Sequence, residues 1–328
     1  SYNEVRKQFL TVIRAFASVT SGKFSAILIS NMDNYFDQIK EQINKVTKIL
    51  KKKGIQEELL NFDANENLDL KIRPPTDANS EFLANRAMGD WAENLIINQV
   101  NSDKKYIALR YGNEETISAG EEGFKDFYIS LKKEVLKFGK RPDLLIFDKN
   151  YNKEKNLSNL NTLDAKEYVE ECLTSIEIRS SKFESEVYKK VRQKEKMEGK
   201  SVQRTSLGFT VKVEDLKIVY RWIKNHKKPQ SYFQIFFDKV YGINFIDILN
   251  LIISEKKEIK IESPLKSQLK TTIVIPVDFG YEIATVTEKP KIVAIQKITK
   301  LGRHDFYVKP QGGKVEINYL NFEKVLLI

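Results

Sequence analysis

The stretch CLTSIEIRSS, residues 172–181, alternates apolar and polar side chains cleanly over several positions. Successive side chains of an extended chain point to opposite sides, so it reads as a strand. Cys172, Thr174, Ile176 and Ile178 share one face, and Ser175, Glu177, Arg179 and Ser181 share the other. Glu177 is flanked by two isoleucines, and a carboxylate in such a core-like strand is costly unless it is paired or bound to a cation. Upstream, RPDLLIFD at residues 141–148 has the same character: Asp143 follows Pro142 at the head of the apolar run Leu144–Phe147. If the two strands are neighbours, Asp143 and Glu177 converge on a hard divalent ion such as Mg²⁺, which takes oxygen ligands and keeps several waters. Arg179, two residues beyond Glu177, then projects beside that ion towards a phosphate.

Around these strands the pattern alternates between helix and strand. Residues 79–100 and 123–139 have the 3.6-residue apolar period of helices, with the short strand KKYIALRYG between them. LDAKEYVEE fits a short helix and KFESEVYKKVRQKEKMEGK a highly charged one. FTVKVEDLKIVYRWIKN runs from a strand or loop into a helix, and SYFQIFFDKVYGI reads as one aromatic-rich strand. From about Ile259 to NYL at 318–320 the chain is strand and turn. The first 60 residues read as helical, with Val5, Phe9, Val12, Ile13 and Phe16 on one face and Phe36, Ile39, Ile43, Val46 and Leu50 on another. KKKG closes the second helix, and the two prolines of KIRPPTDANS break the pattern. The expected organisation is an N-terminal helical region (1–75), a mixed α/β core (76–250) and a C-terminal antiparallel β-rich region (251–328).

Composition narrows the chemistry. The chain has 328 residues, 41% hydrophobic and 30% charged, enough to bury a large core. Its one cysteine, Cys172, excludes a disulfide framework and cysteine-based zinc sites. Two histidines, His226 and His304, are too few for three-histidine metal sites and, 78 positions apart, cannot form an HExxH motif. No apolar run reaches membrane-span length and no export signal is visible, which points to a cytoplasmic protein without membrane contact. Net charge is +10, and 15 Lys/Arg against 6 Asp/Glu lie between Arg179 and Lys228. Localised positive charge favours a polyanion. Arg192, Lys194, Lys196 and Arg204 are the candidate nucleic-acid contacts, to phosphates more than to bases.

Pro142-Asp143 followed by Glu177-Ile178-Arg179 resembles the PD-(D/E)xK nuclease core, with arginine where that pattern has lysine. RAMGDWAENLI, carrying Glu93, is similar to the helix that donates a further carboxylate in that superfamily. EYVEECLTSIEIRSSKF, FTVKVEDLKIVYRWI, PQSYFQIFFDKVYGI, LKTTIVIPVDFGYE and LGRHDFYVKPQGGKV, in that order, look like type II restriction endonucleases of the AccI-like kind. The resemblance implies a restriction-endonuclease-like mixed sheet flanked by helices. It also implies Mg²⁺-dependent, sequence-specific cleavage of double-stranded DNA, usually by a homodimer on a near-palindromic site. Asp143, Glu177 and Glu93 would hold the ion. Arginine cannot act as a base, so the lysine role is open between Arg179, as a charge stabiliser, and Lys182, from a displaced position. Asp164-Ala165-Lys166 spells the motif literally but lies in a helical context. A non-catalytic DNA-binding protein that keeps the nuclease-like fold is the alternative.

Overall fold

Residues 174–180 form a strand with apolar layers on both sides. The structure is a computed structural model that describes residues 35–55, 57–60, 80–112, 123–151, 157–202, 204–262, 271–299 and 302–328. The expected helix around Val5–Phe16 and the break at KIRPPTDANS lie outside the described residues, apart from Ser80 at the end of the latter. In chain order the elements begin with α1 (35–52), α2 (Glu57–Leu60), α3 (Ser80–Asp103), β1 (Tyr106–Arg110), α4 (Phe124–Phe138), β2 (Leu144–Asp148) and α5 (Lys166–Glu171). They continue with β3 (Thr174–Ser180), α6 (Ser185–Met197), β4 (Gly208–Lys212), α7 (Val213–His226), β5 (Gln230–Ile235), β6 (Lys239–Asn244) and α8 (Phe245–Ile253). The last are β7 (Lys260–Glu262), β8 (Thr272–Pro276), β9 (Tyr281–Glu288), β10 (Lys291–Ile298), β11 (His304–Gln311), β12 (Lys314–Ile317) and α9 (Tyr319–Leu326).

Seven strands make one mixed sheet in the order β1-β2-β3-β5-β6-β9-β12. β3 and β5 are parallel, with Glu177 opposite Tyr232, and the other pairs are antiparallel. This arrangement brings the ends of β1, β3, β5 and β9 and the starts of β2, β6 and β12 to one end of the sheet. One sheet face, through Leu144, Ile146, Ile176, Ile178 and Phe233, packs on Trp91, Leu95 and Ile96 of α3 and Val325 of α9. The other face, through Leu145, Phe147, Tyr232 and Ile243, meets α1, α7, α8 and the small sheet β4-β8-β7. Trp222, Phe147, Phe233 and Phe245 are all fully buried; each such side chain contributes roughly 1.5–3 kcal/mol relative to exposure.

The period of α1 does what its sequence implies: Ile39, Ile43, Val46 and Leu50 are buried, and Tyr35 Oη donates to Asn244 Oδ1 at 3.0 Å. SYFQIFFDKVYGI is not one strand but the β5–β6 hairpin. Its turn contains neither Gly nor Pro, and Asp238 there accepts from the backbone N–H groups of Ser185 and Glu186 at 2.8 Å, which caps α6. NYL leaves the strand pattern as well, since Asn318 caps α9 by accepting from Asn321 N at 3.2 Å. The segment 251–328 supplies β9 and β12 to the sheet that carries β2 and β3, so there is no break in the sheet near residue 250. Among the described residues no helix is long and apolar enough to cross a membrane.

Candidate active site

The loop 139–143, GKRPD, is held in place through Gly139, Lys140, Arg141 and Asp143. Gly139 has φ +94°, and a Cβ there would overlap the backbone of Ile218 and Trp222. Only glycine tolerates both the conformation and the approach. Lys140 N then donates to Ile218 O at 3.0 Å. Buried Arg141 donates to Glu134 Oε1 at 2.7 Å and lies over the Tyr111 ring. The carbonyl of Asp143 accepts from Tyr111 N (2.8 Å) and Gly112 N (3.0 Å), and its Oδ2 accepts from Ile178 N at 2.6 Å. Asp143, just before the start of β2, is thereby held against β3 on the backbone N–H of the residue that follows Glu177.

Glu177 faces α7, as the alternation of β3 requires, and only 1% of its side chain is exposed. Its Oε1 is bound by Lys140 Nζ and, at 3.0 Å, by Arg179 Nη2. The same Arg179 nitrogen reaches Asp215 Oδ2, in the first turn of α7, at 2.8 Å. Glu177 Oε2 is buried without a hydrogen-bond partner among the described residues. Glu93 arrives from α3 on the opposite side of the sheet, paired with Arg110 at 2.8 Å. Glu93, Arg110, Gly112, Lys140 and Asp143 line one cavity of about 490 Å³.

Electrostatics mark the cluster. Burial, and then the Glu177 charge, push the Asp143 carboxyl up to about 7 against the opposing pull of Lys140 and the Ile178 N–H. Burial and then Asp143 push Glu93 up to about 8, against Arg110. Burial works against the Lys140 ammonium, but Glu177 and neighbouring carboxylates outweigh it, so its pKa is raised. Arg179 is raised in the same way, burial opposing and Glu177 with Asp215 prevailing. Lys140 and Arg179 are therefore fixed cations at neutral pH.

Of the residues singled out from the sequence, Asp143, Glu177, Arg179 and Glu93 meet at this end of the sheet. Lys182 is exposed and lines a groove along α6 with Phe183, Val187 and Tyr188. Asp164 lies exposed in the turn before α5, accepting from Asn161 Nδ2 at 2.6 Å. Lys140 and Asp215 were missed. The signal for Lys140 was its place between Gly139 and Arg141-Pro142-Asp143. Asp215 reads in the sequence only as an acid complementing a helix N-terminus. Along α6, Arg192 pairs with Glu195 (2.8 Å) and Lys194 with Glu198 (3.9 Å), Lys196 is exposed, and Arg204 pairs with Glu262 of β7.

Among the described residues no three His, Cys, Asp or Glu side chains form a ready cation cage. A small divalent ion does not need one, since one or two carboxylates together with substrate phosphate and water suffice. The unpartnered buried Oε2 of Glu177 beside the strongly perturbed Asp143 fits that requirement. A family model described as AccI restriction endonuclease matches residues 33–203 and 185–328. No curated protein and no solved structure matches the chain.

Proposed function

The chain belongs to the AccI restriction endonuclease family and is a type II site-specific deoxyribonuclease; from that premise we propose that the Asp143–Glu177 end of the sheet is its active site, organised as a PD-(D/E)xK centre that uses Mg²⁺. The observation that carries this reading is that Glu177, bound at Oε1 by Lys140 and next to the Ile178 N–H that Asp143 accepts from, keeps its other carboxylate oxygen buried without a partner among the described residues. Asp143 and Glu177 would hold the ion, with Glu93 in support. The ion supplies Lewis-acid polarisation of the phosphate and a more acidic water.

The chain's own groups do the rest. Lys140 takes the role that the lysine of the motif has elsewhere, reached from the loop before β2 instead of from β3. Its raised pKa suits it to stabilise negative charge on the phosphate, not to remove a proton. Arg179, held between Glu177 and Asp215, keeps the Glu177 side chain aimed and adds a second fixed positive charge. In the net reaction, water adds oxygen to phosphorus, one P–O ester bond breaks, and the departing deoxyribose oxygen leaves with a proton.

The substrate is double-stranded DNA with a short near-palindromic site, read by a homodimer in the cytoplasm. Arg192, Lys194, Lys196 and Arg204 contact backbone phosphates, exchanging weak, solvated ion pairs for charge-assisted contacts with DNA. Incubating plasmid DNA with the protein in Mg²⁺ and in EDTA tests the reading. Discrete fragments with Mg²⁺ only are expected, and intact plasmid under both conditions would refute it.

A further inference from the structure

The cavity at Asp143 does not end there. Arg86, Asp90 and Arg110 line both it and a larger groove of about 980 Å³ beside it. One wall of the groove is an α3 ridge, Arg86, Asp90, Asn94, Asn98 and Ser102, spaced four residues apart and so on one helix face. The other wall is the end of β11 and the start of β12, with Lys309, Gln311 and Lys314.

The walls are built to stay apart at a set distance. Trp91 and Leu95 form the floor, both buried, and Trp91 Nε1 donates to Gly312 O at 2.8 Å, tying the turn to the helix. Gly312 and Gly313 have φ +68° and +97°, the left-handed conformation that glycine adopts without strain, where the chain passes from β11 in the two-stranded sheet to β12 in the seven-stranded one. Lys314 reaches Glu288 at 2.9 Å, and the neighbouring Lys289 reaches Glu184 at the start of α6 at 2.6 Å. The groove wall, α6 and the carboxylate cluster thus stand at the same end of the seven-stranded sheet.

Charge and chemistry then favour one occupant. Four cations, Arg86, Arg110, Lys309 and Lys314, line the groove, Arg110 paired with Glu93 and Lys314 with Glu288, and Asp90 is the one carboxylate among the described lining residues. Exposed Asn98 and Gln311 face the groove from its two walls, and a side-chain amide presents the paired donor and acceptor that match a base edge. We propose that this groove seats the DNA flanking the scissile phosphate, Lys309 and Lys314 on backbone phosphates and Asn98 and Gln311 on base edges. Sequence is then read here, and α6 supplies backbone contacts alone. The proposal rests on the nuclease reading of the adjoining site.

Two variants test it. Lys309→Ala/Lys314→Ala is compared with wild type for binding to a fluorescent duplex of mixed sequence in EDTA, across a salt series. The slope of log affinity against log salt should become shallower by roughly 1.8, at about 0.9 per lost phosphate contact. Lys309→Glu should weaken binding further, and unchanged melting temperatures exclude misfolding. Asn98→Ala/Gln311→Ala is compared with wild type on a library of duplexes randomised over the site, sequenced before and after cleavage in Mg²⁺. Discrimination at the affected positions should fall by roughly 5- to 150-fold per lost base contact, with the salt slope unchanged. An unchanged slope in the lysine variant overturns the groove as a DNA seat. An unchanged site profile in the amide variant overturns its role in reading sequence. If wild type cleaves nothing, the active-site reading falls, while the EDTA series still judges the groove.

Discussion

Replacing Lys140 by methionine separates the catalytic role of its ammonium from its structural one. Lys140 Nζ binds Glu177 Oε1, and Glu177 has 1% of its side chain exposed. Breaking a buried ion pair from one side costs about 3–5 kcal/mol, because the other charge is left uncompensated. Here Arg179 stays at 3.0 Å from the same oxygen, and the Lys140 side chain is 29% exposed. The expected loss of stability is therefore below that range, about 2 kcal/mol. The effect on rate should be larger. Removing one positioned charge at a developing oxyanion lowers turnover by roughly 10²–10³-fold. Single-turnover cleavage of supercoiled plasmid in Mg²⁺, with urea unfolding measured alongside, reads both quantities. Lys140→Arg should recover stability more than rate, since a planar fork does not replace a compact ammonium. Lys182→Met should cleave almost as wild type does. A Lys140→Met protein with wild-type rate, beside an inactive Lys182→Met, would refute the reasoning.

Asp143→Ala or Glu177→Ala should abolish cleavage and leave DNA binding measurable, whereas Asp164→Ala should cut normally; the reverse pattern overturns the assignment. Neutralising Arg192, Lys194 and Lys196 together should make the salt dependence of binding shallower by roughly 0.9 per lost phosphate contact, and an unchanged slope would mean α6 is merely solvated. Mixing wild-type subunits with Asp143→Ala subunits should yield plasmid nicked in one strand; a protein that sediments as a monomer on DNA and gives no nicks is not a dimer. Without metal, Asp143 and Glu93 bind protons more tightly folded than unfolded, their pKa values rising from 3.8 to about 7 and from 4.5 to about 8. Their contribution is present at low pH and is lost as pH rises through the folded values, so stability in EDTA should fall between about pH 4 and 8. Glu93→Gln should flatten that fall and Mg²⁺ should offset it more at pH 8 than at pH 5; a urea-melt series in EDTA that Glu93→Gln leaves unaltered sinks the argument.

The parts of this fold legible in the sequence are those decided by local periodicity. The two-residue period of β3 alone separates Ile176 and Ile178, against α3, from Glu177 and Arg179, facing α7. The 3.6-residue period of α1 likewise selects the side chains that enter the core. What escaped is decided by partners distant in the chain. The turn between β5 and β6 has no glycine or proline, and its sharpness depends on Asp238 capping a helix more than fifty residues earlier. Lys140 reaches Glu177 because Gly139 lies against α7, some eighty residues downstream. No window of local sequence contains that contact. Arg179 could be placed beside Glu177 from spacing, but its second partner, Asp215, belongs to another element and was not foreseeable from the strand.

The charges at the sheet end supply a physical reason for its need of a cation. Glu177 and Asp215 are balanced by Lys140 and Arg179, and Glu93 by Arg110, all through direct contacts. Asp143 is left over: its Oδ2 accepts from one backbone N–H, and among the described residues no cation forms an ion pair with it. Asp90, at 4.0 Å from Arg110, adds a further negative charge at the exposed rim. In the free protein burial first, and neighbouring carboxylates second, favour the protonated forms of Asp143 and Glu93. A DNA phosphate entering the cavity brings another negative charge and makes protonation alone an insufficient remedy. On the proposed reading, a divalent ion at Asp143 and Glu177 would remove the excess and the repulsion of the phosphate in one step, so metal and substrate should bind cooperatively. Titrating Mg²⁺ affinity with and without duplex in the Lys140→Met protein, which binds but cuts slowly, measures that coupling. Equal Mg²⁺ affinity in both cases would show that charge balance is not what makes the site require metal.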